Sequence, residues 1–262
     1  MYPNPIKQKL TAGEVVLGTG LPAFTPHVAG PTIGTGIDFL WIDTEHMPYG
    51  VETLDVIPVL ARQRGVAPMI RVAHNDPGLI KKAYDVGAVL VMVPQVNTPE
   101  EARRAVDAAH YAPEGNRGLS PMWTRIAGFD WQTVLETAND ETLLICQMES
   151  RQAWDNLDEI AAVPGIDIIL VGPLDLSASL GLAGQTGSSQ VQQIMEEVPR
   201  RLEGTGIVVG TTLANPDEIK QKIDWGYRFL NVGNPLVFGV QAVTDHVADL
   251  REYAKQRRWA NR

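Results

Sequence analysis

Short apolar runs rich in Val, Ile and Leu recur along this chain, with longer amphipathic stretches between them. Parallel strands buried on both faces read as near-continuous apolar runs, and the helices that cover them supply the amphipathic spacing. Eight such runs occupy residues 15–19, 39–43, 68–72, 89–93, 143–148, 168–171, 207–211 and 229–232. Strand and helix signals alternating in this way over 262 residues predict an α/β fold, a single-domain (β/α)8 barrel spanning 1–262.

Helix starts repeat one punctuation. Asn75-Asp76-Pro77, Asn97-Thr98-Pro99 and Asn215-Pro216 each set a capping side chain before a proline, whose missing N–H costs nothing in the first turn. These asparagines are read as caps rather than catalytic groups. Segment 111–129, with Pro113, Gly115, Gly118, Pro121 and Gly128, joins the fourth and fifth strands by a long route and is expected to be functional. A second Gly- and Ser-rich stretch, 181–189, reads as a lid or a connection.

Composition narrows the partners. A net charge of -9 argues against nucleic-acid and anionic-membrane surfaces, which call for a basic face. The basic cluster Lys255-Gln256-Arg257-Arg258, with Arg262 beyond it, reads as a solvated helix end. The lone cysteine, Cys146, lies in an apolar run and reads as core, which fits a reducing cytoplasm. No stretch approaches the roughly 20 apolar residues of a membrane span, and the first residues lack the pattern of a signal peptide.

In such a barrel, polar residues at the C-terminal ends of strands converge on one site. Asp43, Glu45, His46, Arg71, Gln95, Gln147, Glu149, Asp175, Thr211 and Asn234 fall there. Glu149 and Asp175 lie about one βα unit apart, so they end adjacent strands. Two carboxylates with open positions suit a hard divalent cation such as Mg²⁺ or Mn²⁺. Arg71 ends a buried run and needs an anion, either a protein carboxylate or that of a 2-oxo acid. His46 titrates near neutrality and can move protons, with Asp43 placed to orient its ring. His27, His74, His110 and His246 carry weaker signals, as surface, rim or helix-end residues. Lys7, Lys9, Lys81, Lys82, Lys220, Lys222 and Lys255 all fall in the N-terminal arm or in predicted helices, which leaves no strand-end amine for imine chemistry. No nucleotide-binding glycine loop is present, so no nucleotide cofactor is expected.

Five motifs, Trp41-Ile-Asp-Thr-Glu-His46, Ile70-Arg71-Val72, Tyr111-Ala-Pro-Glu-Gly-Asn-Arg-Gly118, Gln147-Met-Glu149 and Val171-Gly-Pro-Leu-Asp-Leu-Ser177, occur in an order and spacing that resembles the HpcH/HpaI aldolases, from about residue 18 to 239. The resemblance implies a metal-dependent (class II) pyruvate aldolase, a carbon–carbon lyase that cleaves 4-hydroxy-2-oxo acids to pyruvate and an aldehyde. It implies Glu149 and Asp175 as ligands of Mg²⁺ or Mn²⁺, with Co²⁺ as an alternative. Arg71 would hold the enolate oxygen, and His46, oriented by Asp43, would be the base. Gln147 and the backbone at Leu174 and Asp175 would line the pyruvate site, and Asp85 would reach a neighbouring subunit's aldehyde pocket. It further implies a homo-oligomer, often a hexamer built from dimers that exchange their last helix.

Two departures from the usual pattern, Gly18-Thr19-Gly20-Leu21-Pro22 in place of an aromatic and a Pro- and Gly-rich stretch 119–129, are expected on the aldehyde side. An oxaloacetate decarboxylase or macrophomate synthase-like enzyme would use the same enolate site. A barrel that only binds a 2-oxo acid or a partner would have a broken constellation, which this sequence does not show.

Overall fold

The computed structural model describes residues 4–54 and 56–257. Eight parallel strands close into a barrel in sequence order: β1 (Val16–Gly20), β2 (Phe39–Asp43), β3 (Ala67–Arg71), β4 (Leu90–Val93), β5 (Leu143–Met148), β6 (Ile168–Val171), β7 (Val208–Thr212) and β8 (Phe229–Asn231). Every expected run is a strand, with ends moved by one residue in β1, β3, β4, β7 and β8. Among the described residues, thirteen α-helices accompany them: α1 (Pro5–Thr11), α2 (Pro26–Ile33), α3 (Ile57–Gln63), α4 (Pro77–Asp85), α5 (Pro99–Ala109), α6 (Trp123–Ala127), α7 (Trp131–Glu141), α8 (Arg151–Asp155), α9 (Leu157–Ala161), α10 (Pro173–Ser179), α11 (Ser189–Arg201), α12 (Pro216–Trp225) and α13 (Pro235–Lys255).

Alternation along each strand divides the core in two. One set, including Leu40, Ile42, Ile70, Val91, Ile169 and Leu230, packs outward against the helices. The other, including Phe39, Met69, Met92, Ile145, Leu170 and Phe229, fills the barrel, and Ile6 and Leu10 of α1 join it. The segment expected as an N-terminal arm is therefore a helix that plugs the barrel. Its cap, Asn4, accepts from the Ile6 N–H and is fully buried.

Phe39 and Phe229 stack inside the barrel with ring centroids 4.1 Å apart. Two glycines make room for them: a Cβ on Gly18 would lie 2.4 Å from the Phe39 ring, and one on Gly210 would lie 2.7 Å from the Phe229 carbonyl oxygen.

The helix caps correct two readings. Asp76 caps α4 by accepting from Leu79, and Thr98 caps α5 in a box with Glu101. Their neighbours Asn75 and Asn97 instead donate to the carbonyls of Glu101 and Gln95. Only Asn215 of the three asparagines is a cap, accepting from Asp217 and Glu218. In the other two places the shorter reach from the residue adjoining the proline wins.

Segment 111–129 also departs from expectation. It packs by the N-terminal ends of the strands, where Trp123 lies under the Arg62 guanidinium at 3.9 Å and beside Gly87, just ahead of β4. Arg117 sits between the rings of Tyr84 and Tyr111, at 4.4 and 4.0 Å. The stretch is thus bound to the scaffold, away from its own chain's strand C-termini. Stretch 181–189 is a connection tied to α10 and α11, with Gly184 N donating to Ser177 Oγ and Gln192 Nε2 to the Thr186 carbonyl.

At the other end of the chain, α13 has no buried residue, and Leu236, Val240, Val243, Val247 and Leu250 form an exposed apolar stripe at helical spacing. Lys255 and Arg257 lie at its solvated end; Arg258 and Arg262 fall outside the described residues. Among the described residues, no helix is long and apolar enough to cross a membrane.

Gly18→Ala is expected to destabilise the protein by about 1–3 kcal/mol, because the buried Phe39 ring has nowhere to move. Adding Phe39→Leu should recover much of that loss. Urea denaturation of the two variants checks this, and an unchanged midpoint for Gly18→Ala would contradict the packing described.

Candidate active site

The site begins at Arg71, the last residue of β3, which is 7 % exposed. A guanidinium this far from water is costly unless matched by carboxylates. Asp43, its register partner at the end of β2, accepts from Nε at 2.9 Å and Nη2 at 2.6 Å. Glu45 Oε2 lies 2.9 Å from Nη1, but off the line of a hydrogen bond, so this oxygen is buried with no donor aimed at it. Burial raises the Glu45 carboxyl pKa, and the Arg71 charge opposes that rise.

Beyond Arg71 the chain of contacts continues. Gln147 Oε1 lies 3.5 Å from Arg71 Nη1, and Gln147 Nε2 donates to Glu149 Oε2 at 2.5 Å. Gln95 N–H donates to the other Glu149 oxygen at 2.8 Å. Gln95 has φ 50, a left-handed conformation uncommon outside glycine, and that turn points its N–H at the carboxylate. Burial pushes the Glu149 carboxyl up to about 7, the nearby charges of Glu45 and Asp175 add to the rise, and the Gln95 N–H opposes it.

Glu149 follows β5, and Asp175 stands in the first turn of α10, after β6. Gly172 separates them: a Cβ there would lie 2.8 Å from Glu149 Oε2 and 2.9 Å from Gln147 Nε2. The glycine thus keeps space beside Glu149 and Gln147, and the Asp175 charge acts on the same carboxylate. Leu174 is 60 % exposed at the start of the same helix. Among the described residues, no group of three or more His, Cys, Asp and Glu is placed to hold a metal. The carboxylates that could face a cation there are Glu149 and Asp175.

The structure corrects the role of Asp43. Its Oδ1 accepts from the backbone N–H groups of Glu45 and His46, at 3.0 and 3.4 Å, so it shapes the turn and does not touch the His46 ring. Glu45 is the carboxylate at that ring, with Oε2 3.6 Å from Nε2, and the His46 side chain is 60 % exposed. Thr211 is corrected as well. It points outward and donates to the Val171 carbonyl at 2.9 Å, because a one-residue shift on a strand exchanges faces.

The inward residue is Thr212. It lines a cavity of about 420 Å³ together with Asp43, Arg71, Gly20, Asn231 and Asn234. Gly20 and Leu21 border this cavity, so the departure at the end of β1 does fall on it. Thr212, Asn231 and Met47 were missed in the sequence reading, and the ends of β7 and β8 were the available signal.

The remaining candidates lie elsewhere. His27 is on α2, His246 on α13, and His74 is exposed at the rim; His110 ends α5, buried, with Nδ1 2.9 Å from the Val106 carbonyl. Cys146 is core, its thiol pushed up to about 12 by burial. Every lysine lies on α1, α4, α12 or α13. Asp85 ends α4 near Arg117 and Lys81, apart from Arg71 and His46 of its own chain.

At these strand ends a buried arginine, neighbouring carboxylates and an exposed histidine stand together. The sequence profile of the HpcH/HpaI aldolase/citrate lyase family matches residues 18–238. The 2-keto-3-deoxy-L-rhamnonate aldolase of Escherichia coli strain K12 is 38 % identical over 231 residues, 88 % of this chain and 86 % of that protein. An HpcH/HpaI aldolase/citrate lyase family protein from Burkholderia cenocepacia J2315 superposes with a TM-score of 0.87 at 31 % identity, covering 95 % of this chain and 99 % of that one. An HpcH/HpaI aldolase from Desulfitobacterium hafniense DCB-2 gives 0.84 at 29 %, covering 98 % of each. This chain belongs to the HpcH/HpaI aldolase/citrate lyase family, and it is a carbon–carbon lyase.

Asp85 carries a prediction of its own. Burial pushes its carboxyl up to about 6 against the charges of Arg117 and Lys81, and Oδ1 is buried without a donor. A carboxyl with a raised folded-state pKa stabilises the fold fully below its unfolded value of about 4, and that share is lost as pH rises through about 6. Asp85→Asn should therefore be the more stable protein at about pH 8, by about 1 kcal/mol or more, with the difference closed by about pH 4. Denaturant titrations at the two pH values check this; a variant weaker than its parent at the higher pH would mean that Asp85 meets a cation on another copy.

Proposed function

We propose that this protein is a metal-dependent aldolase that reversibly cleaves a 4-hydroxy-2-oxo acid to pyruvate and an aldehyde. One observation carries the reading: Arg71, Gln147 and Glu149 form a continuous buried network at the strand ends, with Asp43 and Glu45 holding the arginine. The family membership and the name of the E. coli relative support it.

Glu149 and Asp175 are the residues that would hold Mg²⁺ or Mn²⁺, with Gln147 beside them. When bound, a divalent cation supplies positive charge to the carboxylate and 2-oxo oxygens of the substrate. Arg71, already oriented by Asp43, offers fixed charge to the oxygen that becomes the enolate. The N–H groups opening α10, at Leu174 and Asp175, receive the substrate carboxylate.

His46 takes the proton from the 4-hydroxyl as the carbon–carbon bond breaks; the bonding pair becomes the carbon–carbon double bond of the enolate, and the π pair of the 2-oxo group passes to its oxygen. The aldehyde leaves, and the enolate carbon takes the proton from His46 to become the pyruvate methyl, a step that His46 reverses when pyruvate enters alone. Glu45, next to the ring, stabilises the charge that His46 acquires.

The apolar stripe of α13 supports a homo-oligomer in which this helix docks on another copy, with Asp85 brought to a neighbouring pocket. The acidic charge and the absence of a spanning helix among the described residues suit a cytoplasmic protein acting on small molecules.

Exchange of the pyruvate methyl protons in D₂O, followed by NMR, tests the chemistry without a choice of aldehyde. Chelated enzyme should be silent, and restored Mg²⁺ or Mn²⁺ should give exchange. Glu149→Gln or Asp175→Asn should reduce it by about two orders of magnitude or more. His46→Asn should slow exchange by about a hundredfold with metal affinity retained; equal loss of both would remove His46 as the base. Separately, Val240→Glu with Val243→Glu should lower the mass measured by light scattering to that of a smaller assembly, and an unchanged mass would exclude α13 from the interface.

A further inference from the structure

The loop between β4 and α5 carries more hydrogen bonds than a connection needs. Gln95 is the only non-glycine residue with a positive φ among the described residues, and its side chain is exposed, so the reason for the turn lies in its backbone. A residue held in that region persists where its surroundings over-determine it. Asn97 supplies the hold, with all four of its polar groups engaged. Its N–H donates to Glu101 Oε2 at 2.7 Å and its Nδ2 to the Gln95 carbonyl at 2.9 Å. Its Oδ1 accepts from Ser150 Oγ, and its carbonyl accepts from Asn156 Nδ2 at 2.8 Å.

These bonds reach both sides of Glu149. The Gln95 N–H meets one oxygen of that carboxylate at 2.8 Å, and Ser150, which caps α8, is the next residue in the chain. Between them, Val96 is 1 % exposed and its N–H donates to the Gln147 carbonyl at 3.2 Å, which seats the loop on β5 just ahead of the acid. Entry into α5 requires none of this, because Thr98 and Glu101 already cap that helix with each other. What the left-handed turn adds is a backbone donor aimed at Glu149. A carboxylate that holds a metal gains affinity when its own hydrogen bonds fix its orientation beforehand.

We propose that Asn97 is a positioning residue for Glu149: by holding Gln95 in its left-handed turn and Ser150 at the head of α8, it sets the carboxylate in the orientation that takes the divalent cation. The inference rests on the metal-dependent reading and adds to it a residue that acts only through its neighbours. An asparagine that served the loop alone would contribute stability and leave the cation affinity of the folded protein untouched. Glycine adopts a left-handed φ without strain, so Gln95→Gly should make the hold largely unnecessary.

The experiment titrates the full-length protein, stripped of metal, with Mn²⁺ and reads the free ion by EPR, with urea denaturation of the metal-free protein in parallel. Asn97→Ala should weaken Mn²⁺ binding by at least about tenfold. Asn97→Asp keeps the shape and loses the donor to Gln95; it should weaken binding by a similar factor, although its negative charge alone would favour the cation. This isosteric variant decides the matter if the alanine variant does not fold. In the Gln95→Gly background, Asn97→Ala should change the affinity by no more than about threefold. Asn97 variants that lose stability yet bind Mn²⁺ as the parent does would overturn the assignment, and so would a full loss in the Gln95→Gly background. A parent that binds no Mn²⁺ would overturn the metal site and this role together, whereas one that binds it without exchanging the pyruvate methyl protons would overturn the aldolase reading alone.

Discussion

The buried charge of Arg71 is the constraint on which the rest of the site depends. Its cost out of water is met by two carboxylates that arrive from one turn: Asp43 ends β2, and Glu45 follows two residues later. Asp43 also accepts from the backbone of Glu45 and His46, so the interaction that holds the arginine folds the turn that carries the histidine. Removing Asp43 would therefore disturb charge, turn and histidine together, a coupling typical of networks that act as a unit. The Trp41 ring, 5.2 Å from the guanidinium, adds an apolar face beneath it.

The barrel sets the depth at which this network sits. Phe39 and Phe229 fill the interior because Gly18 and Gly210 yield the space, and the next inward layer carries Arg71, Gln147, Thr212 and Asn231. Packing thus ends where chemistry begins, one pleat apart. The same division separates the two halves of the mouth. Glu149, Gln147 and Arg71 gather charge on the side of β3 to β5, whereas β7 and β8 present neutral polar groups among apolar ones. An acid at one end of a substrate and an uncharged chain at the other fit that division.

Acidic crowding and its relief run through the structure. Burial raises the carboxyl pKa of both Glu149 and Glu45, and other acids, including Asp175, add to each rise. Gln95 adopts a left-handed turn to give Glu149 a backbone donor. The scaffold spends local backbone strain where the carboxylates converge, which is where a cation would remove the repulsion.

Periodicity carried the fold, because eight apolar runs with helical spacing between them admit few arrangements, and strand ends then named Asp43, Glu45, His46, Arg71, Gln147, Glu149 and Asp175. Those residues were legible because chain order alone places them at one end of a parallel barrel. Which carboxylate meets which cation was not legible: Asp43 proved to hold Arg71 and the turn, while Glu45 took the place beside His46. A choice between acids two residues apart depends on side-chain direction, which sequence spacing does not encode. The inward position on β7 was missed by one residue for a similar reason, since a strand's face is fixed by its register with its neighbours. Segment 111–129 read as a functional loop from its length, yet Trp123 and Arg117 bind it to the opposite end through ring contacts made across the fold. The sequence by itself determined the elements, their order and the chemistry available at the strand ends. The tertiary structure decided pairing, facing and burial, because those follow from contacts between residues distant in the chain.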